Sequence, residues 1–253
     1  MTFKTGSSSR PSVGVVGAGR LGTSLCRALR AAGVAVDGPV GRGVVPQGEA
    51  ILLCVPDAEI SAAAEVVTAA APYVGHTSGA TRLTALEPAG VAAFGLHPLQ
   101  TFTGDEGPEA FQGAGCAIAG SSPEALAVAS DLASALGMNA FEIDDRGRAA
   151  YHAAASVASN FLVTLKAAAE RIATAADLSP AQSRELLAPM VRQTVENWAA
   201  LGPERALTGP VARGDEATVA AQRAAIEETA PELVAFFDLM VEHTRELARG
   251  VPA

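Results

Sequence analysis

At 253 residues the chain has the length of one large domain or two smaller ones. Its 49% hydrophobic and 18% charged residues are the balance of a soluble globular protein with a sizeable core. A formal charge of −9 argues against a nucleic-acid surface, and no stretch of about twenty lipid-facing apolar residues argues for a membrane.

Residues 1–11 lack the apolar core of a signal peptide and read as a disordered leader. The three cysteines, Cys26, Cys54 and Cys116, have no metal-ligand spacing. They read as small buried residues in a reducing compartment, so a cytoplasmic protein with no metal site is expected.

Residues 12–43 read as strand, glycine turn, helix and strand. Gly17, Gly19 and Gly22 form G-x-G-x-x-G directly after VGVV and at the start of an amphipathic helix. In that setting Gly17 permits the tight turn, Gly19 lets a pyrophosphate approach the backbone, and Gly22 allows close helix–strand packing. Ala18, Arg20 and Leu21 complete the turn, and the helix N-terminus offers N–H groups and a positive dipole end to phosphate. After the second strand, an acid would bind the ribose hydroxyl of NAD and an arginine the 2′-phosphate of NADP. Asp37 has suitable spacing but falls inside VAVDGPV, whereas Arg42 follows the strand. NADP is therefore expected, with NAD the alternative.

Residues 50-AILLCVPD-57 read as a buried strand leading into a helix that Asp57 caps. The loop 43–49 is too short for a crossover helix, so the sheet edge beside the adenosine should be abbreviated. Further strands are expected at 74–78, 91–96, 114–119 and 139–143, and a helix at 123–136. Ligands bind at the C-terminal ends of parallel strands, and 75-GHTSGA-80 and 95-GLHPLQTF-102 place Ser78 and His97 there. His76 and His243 read as structural.

From about residue 146 the pattern is helical, with helices expected at 147–174, 180–200, 215–227 and 230–249. Ser179-Pro180 reads as a helix start and Asp215 as a cap. Met190, Trp198, Phe236 and Phe237 read as core. In 151-YHAAASVASNFLVTLKAAAE-170, His152, Ser159 and Lys166 recur every seven residues, and Ser156 and Asn160 widen the stripe. Both a solvent-facing stripe and a wall of the ligand crevice fit. Lys166 and Lys4 are the only lysines among eighteen basic residues, which favours the second. Arg213 has the bidentate fork that a carboxylate needs, or it could hold Asp215; Thr208 adds a hydroxyl.

Taken together, Gly17–Gly22, Val55-Pro56-Asp57, His76-Thr77-Ser78-Gly79, His97-Pro98-Leu99, Tyr151-His152, Ser159-Asn160 and the run Ala206–Asp215 resemble one family. It is the Rossmann-like family with a helical C-terminal domain of unknown function, similar in architecture to 6-phosphogluconate dehydrogenase-like reductases. The resemblance implies an α/β Rossmann domain at 12–145 and an all-α substrate and dimerisation domain at 146–253. It implies an NAD(P)-dependent oxidoreductase, a ketopantoate reductase above all, acting on a small carboxylate substrate as a homodimer.

The prephenate dehydrogenase pattern implies a catalytic His97 and a role for Ser78; it has Ser-His where this chain has Ser159-Asn160. Ketopantoate reductases carry a lysine and then an asparagine on the linking helix, whereas here Lys166 follows Asn160. The reading that results gives catalysis to His97, Lys166, Ser78 and Asn160. Substrate binding falls to Ser159, Thr208 and Arg213, and cofactor binding to Gly17–Gly22, Arg42, Val55, Pro56 and Asp57. A silent nucleotide-binding regulator and a prephenate-type NAD-dependent dehydrogenase are the alternatives.

Overall fold

The apolar run Val13–Val16 forms strand β1 and is buried along its whole length, as a strand covered on both faces must be. The computed structural model describes residues 10–250. Apart from Arg10 and Pro11, the expected leader lies outside the described residues. Helix α1 (Arg20–Ala31) leads to β2 (Val36–Val40), β3 (Ala50–Leu53), α2 (Ile60–Val66) and β4 (Tyr73–His76). Then come β5 (Ala92–Leu99), β6 (Gly115–Gly120), α3 (Pro123–Ala135), β7 (Asn139–Glu142) and α4 (Arg148–Ala158).

The strands form one seven-stranded sheet in the order β2-β1-β3-β4-β5-β6-β7. All neighbours are parallel except β5 and β6, which pair antiparallel with His97 opposite Ala117. Alternation along β3 feeds two apolar layers. Leu52 joins Leu25, Leu29, Phe94 and Leu132 on one face, while Ile51 and Leu53 join Ile60, Val67 and Leu86 on the other. Each fully buried Leu or Phe contributes about 1.5–3 kcal/mol.

No helix connects β2 to β3, so β2 is an edge strand, the abbreviation expected from the short loop. The Asp37 carboxylate accepts the Gln47 N–H at 2.7 Å and pins that loop. Pro39 sits within β2, and the Arg30 guanidinium donates to the carbonyls of Val36 and Gly38.

A helix continuous over 147–174 is not what forms. Helix α4 stops at Ala158 and α5 (Asn160–Ala173) begins two residues later, with Ser159 at the junction at φ −113°, ψ −72°. Ser and Asn are weak helix formers because their side chains compete for backbone groups. The chain divides into two compact units at Ser159/Asn160, whereas the sequence placed the change at 145/146; α4 goes with the sheet because Arg148 and Tyr151 contact it.

The second unit continues with α6 (Pro180–Leu201), α7 (Pro203–Ala206), α8 (Pro210–Arg213), α9 (Glu216–Thr229) and α10 (Val234–Ala248). Ser179 and Gln182 form a reciprocal cap on α6. Asp215 caps α9 by accepting from the Thr218 N–H at 3.1 Å. The buried apolar residues of this unit are few among those described: Val219, Ile226, Ala230 and Val241. Met190 and Trp198 are exposed and Phe236 and Phe237 only half-buried, so the expected core is not formed by them. Their spacing marks an apolar helix face; it does not require that the chain itself covers that face. Among the described residues, no helix is long and apolar enough to cross a membrane.

Candidate active site

The turn after β1 shows three glycines with three different surroundings. Gly17 has φ +106°, and a Cβ on it would lie 2.2 Å from the Cys54 carbonyl oxygen. A Cβ on Gly22 would lie 2.0 Å from the Gly17 oxygen, so α1 packs against the turn through bare backbone. Above Gly19 there is nothing within 4 Å. Two positions are closed and one is open, the arrangement that a phosphate approaching the backbone requires. Gly19 caps α1 and Arg20 opens it, with no acid in the first turn to neutralise the positive helix end. Leu21 packs on the core while Ala18 and Arg20 are exposed. These residues fit the phosphates of a dinucleotide.

Beside the turn lies a cavity of about 180 Å³ walled by Val16, Val55, Ala63 and Val66, with Arg42 and Glu59 among its lining residues. Arg42 and Glu59 form an ion pair. Asp37 stands early in β2 with its carboxylate engaged by Gln47. Asp57 does not cap α2. It opens a 3-10 turn, Asp57–Glu59, whose cap position is Pro56, and it makes no capping hydrogen bond. The helix is entered through that turn, which puts Glu59, two residues later, at the cap position of α2.

Toward the other side of the sheet, β4 and β5 carry the histidines. His76 is buried, and its Nδ1 accepts the Ser78 N–H at 3.2 Å. Burial, and then the Arg148 guanidinium, pushes His76 down to about 4. Ser78 does not point a free hydroxyl at a ligand. Its Oγ accepts from the N–H groups of Ala80 and Thr81 and donates to Thr81 Oγ1 at 2.9 Å, so it orders its own loop.

The His97 ring lies against Gly79, where a Cβ would come within 2.8 Å of it. Its Nδ1 is 2.7 Å from the Tyr151 hydroxyl, and its centroid is 6.2 Å from that of His152. Burial, and then His152, lowers His97 to about 4, while burial raises Tyr151 to about 12. Both groups are neutral at pH 7.

Sequence reasoning missed Arg148, one of the largest fully buried side chains. Its Nε donates to Asp145 at 2.8 Å, and Nη2 lies 3.1 Å from where a Cβ on Gly95 would stand. Gly95 pairs in register with His76, so glycine there makes room for the guanidinium beside the imidazole. The signal available was the spacing Arg148…Tyr151, one helical turn on one face, next to a glycine in a strand otherwise rich in large residues.

The stripe read on one continuous helix is split. His152 and Ser156 lie on α4, Asn160 and Lys166 on α5, and Ser159 between them. Lys166 is half-buried and Asn160 exposed. Asn160, Lys166, Thr208 and Arg213 belong to the second unit. Arg213 ends α8 and makes no ion pair among the described residues; Asp215 is held by Thr218 instead. The described residues contain no cluster of three potential metal ligands. Cys26 and Cys116 are free and buried, and burial raises their thiols to about 11 and about 12.

The whole chain is similar to known structures. It superposes on a Bacteroides fragilis protein named a "putative NADP oxidoreductase" with a TM-score of 0.79 and 21% identity, over 93% of this chain and 98% of that one. It matches protein TM1727 from Thermotoga maritima at 0.75 and 24%, over 94% and 98%. Pyrroline carboxylate reductase from Plasmodium falciparum, solved with NADP bound, matches at 0.59 and 11%, over 94% and 98%. At these identities the likeness shows the fold, a mostly parallel α/β sheet followed by a helical C-terminal region. No curated protein matches the sequence. Residues 114–244 match a family described as "Domain of unknown function (DUF2520)", and this chain belongs to that family.

Proposed function

We propose that the protein is an NADPH-dependent reductase of a small 2-oxo acid, with ketopantoate as the first substrate to try. The observation that carries this reading is the glycine turn, closed at Gly17 and Gly22 and open above Gly19, at the unneutralised N-terminus of α1. A bound nicotinamide would supply hydride to the substrate carbonyl. Gly17–Gly22 hold its phosphates, while Val55, Pro56 and Asp57 flank the adenosine side and Arg42 takes the 2′-phosphate.

The developing alkoxide needs a hydrogen-bond donor and a positive partner. His97 is neutral at pH 7 and so serves as donor rather than cation. With the Tyr151 hydroxyl donating to Nδ1, His97 carries its proton on Nε2. The positive charge in this reading comes from Lys166, with Asn160 and Ser159 orienting the substrate. Arg213 forks onto the carboxylate and Thr208 adds a hydroxyl contact. The apolar side of α6, with Leu186, Met190, Trp198 and Leu201 exposed, supports a homodimer.

A second reading is a dinucleotide-binding regulator without turnover. It is favoured by the Ser78 hydroxyl, which is consumed by its own loop. The two separate in a turnover screen of the purified protein with NADPH and NADH against ketopantoate, pyrroline-carboxylate and other short 2-oxo acids. Oxidation of NADPH that falls sharply in Lys166→Ala supports the reductase. Cofactor binding without turnover supports the regulator, and a folded protein that binds neither nucleotide defeats both.

A further inference from the structure

The ion pair between Arg42 and Glu59 stands among the residues lining the apolar cavity beside the glycine turn. Arg42 follows β2 and Glu59 ends the 3-10 turn before α2, so two separate elements supply the two charges. The Arg42 side chain is 80% exposed and that of Glu59 33%. A pair this exposed contributes little stability, and its guanidinium is readily transferred to a stronger anion. The walls, Val16, Val55, Ala63 and Val66, suit a flat aromatic base, and the charges suit what is attached to it.

A 2′-phosphate entering this pocket would compete with Glu59 for Arg42. Guanidinium binds phosphate bidentately, and a phosphate carries close to two charges at neutral pH. The exchange favours the phosphate, but the Glu59 carboxylate is then left beside a dianion with its partner removed. An unphosphorylated ribose calls for no such exchange: Arg42 stays on Glu59, and the carboxylate is available to accept a ribose hydroxyl.

We infer that Glu59 sets the dinucleotide preference of this protein, by holding Arg42 when no 2′-phosphate is present and by opposing the phosphate when one is. Arg42 alone would make the pocket specific for NADP; with Glu59 paired to it, the pocket admits both nucleotides and the preference is moderate. The inference rests on the nucleotide-binding reading above.

Calorimetric titration of the full chain separates the two. The probes are NADP+, NAD+, adenosine 2′,5′-bisphosphate and 5′-AMP, applied to wild type, Glu59→Gln, Glu59→Ala and Arg42→Gln. Glu59→Gln is expected to tighten both 2′-phosphorylated probes by on the order of three- to tenfold, with NAD+ and 5′-AMP unchanged or weaker. Arg42→Gln is expected to abolish the difference between phosphorylated and unphosphorylated probes. Raised salt should shrink the Glu59→Gln effect, as screening requires. If the probes bind but the ratio is the same in wild type and both Glu59 variants, Glu59 does not set the preference, and the nucleotide site stands. If folded wild type binds none of the probes, the nucleotide reading falls and this inference with it. Thermal melts of each variant identify any loss caused by misfolding, and Glu59→Ala provides the second test where Glu59→Gln is unstable.

Discussion

The Tyr151 hydroxyl lies 2.7 Å from Nδ1 of His97, and the two rings meet edge-on with centroids 5.5 Å apart. Burial keeps the phenol protonated far above neutral pH, so its proton is available to Nδ1, and the tautomer that accepts it carries the His97 proton on Nε2. Tyr151→Phe keeps the ring packing and removes that donor. Carbonyl reduction is expected to lose about 10- to 100-fold in kcat, with KM changed by less than about threefold. Stability should fall by about 1 kcal/mol. A kcat equal to wild type would take the pair out of the chemistry.

Gly19→Ala and Gly22→Ala should differ in kind. A Cβ at 19 meets nothing within 4 Å, whereas one at 22 lies 2.0 Å from a backbone oxygen. Gly19→Ala is therefore expected to melt within a degree or two of wild type while losing most NADPH affinity. Gly22→Ala should be destabilised by about 2 kcal/mol or more, since overpacking forces the backbone to shift. Melting curves with and without NADPH measure both. A Gly19→Ala protein that binds like wild type would show that phosphate does not approach there.

The acid side of the stability curve should be set partly by His76. Burial, then Arg148, lowers it from its ordinary 6.5 to about 4 in the folded chain. The folded pKa lies below the unfolded one, so its full stability is present above about pH 6.5 and is lost as pH falls toward 4. At about 1.4 kcal/mol per unit, that loss is on the order of 3 kcal/mol. His97, lowered by burial and then by His152, acts in the same direction. Urea unfolding between pH 7.5 and 4.5 should give a shallower pH dependence for His76→Gln than for wild type. Parallel curves would mean that other groups govern acid unfolding.

Met190 and Trp198 are exposed on α6, on the same side as Leu186 and Leu201. Exposed apolar side chains of this size on one helix side are what a homodimer contact would cover. Light scattering should give a dimer for wild type and a monomer for the double variant Met190→Glu, Trp198→Glu, with helical content retained. A wild-type monomer at micromolar concentration would discard the homodimer.

Much of the first unit is legible in the chain because its signals are local. VGVV followed by three spaced glycines states a strand, a turn and a helix start, and AILL states a buried strand. The short connection after β2 is readable from residue count alone. The Ser159 break is not, because an interruption confined to one residue does not disturb the apolar periodicity on either side of it. The hydroxyl of Ser78 reads as available in the sequence; its engagement by Ala80 and Thr81 depends on how the loop closes. Arg148 escapes for another reason. Arginine is rarely buried, and the room for this one comes in part from Gly95, distant from it in sequence and near its guanidinium only in the folded chain. Met190 and Trp198 show the reverse limit, since periodicity finds an apolar face without naming what covers it.

The edge at β2 also bears on how copies of this chain can meet. An unpaired strand edge invites another chain to extend the sheet. Here Pro39 withholds a donor, and Arg30 occupies the acceptors at Val36 and Gly38. Proline within an edge strand and a cation laid along it are two ways proteins refuse strand addition. In the folded chain this edge, which stands next to the glycine turn, is thereby closed to strand addition by another copy.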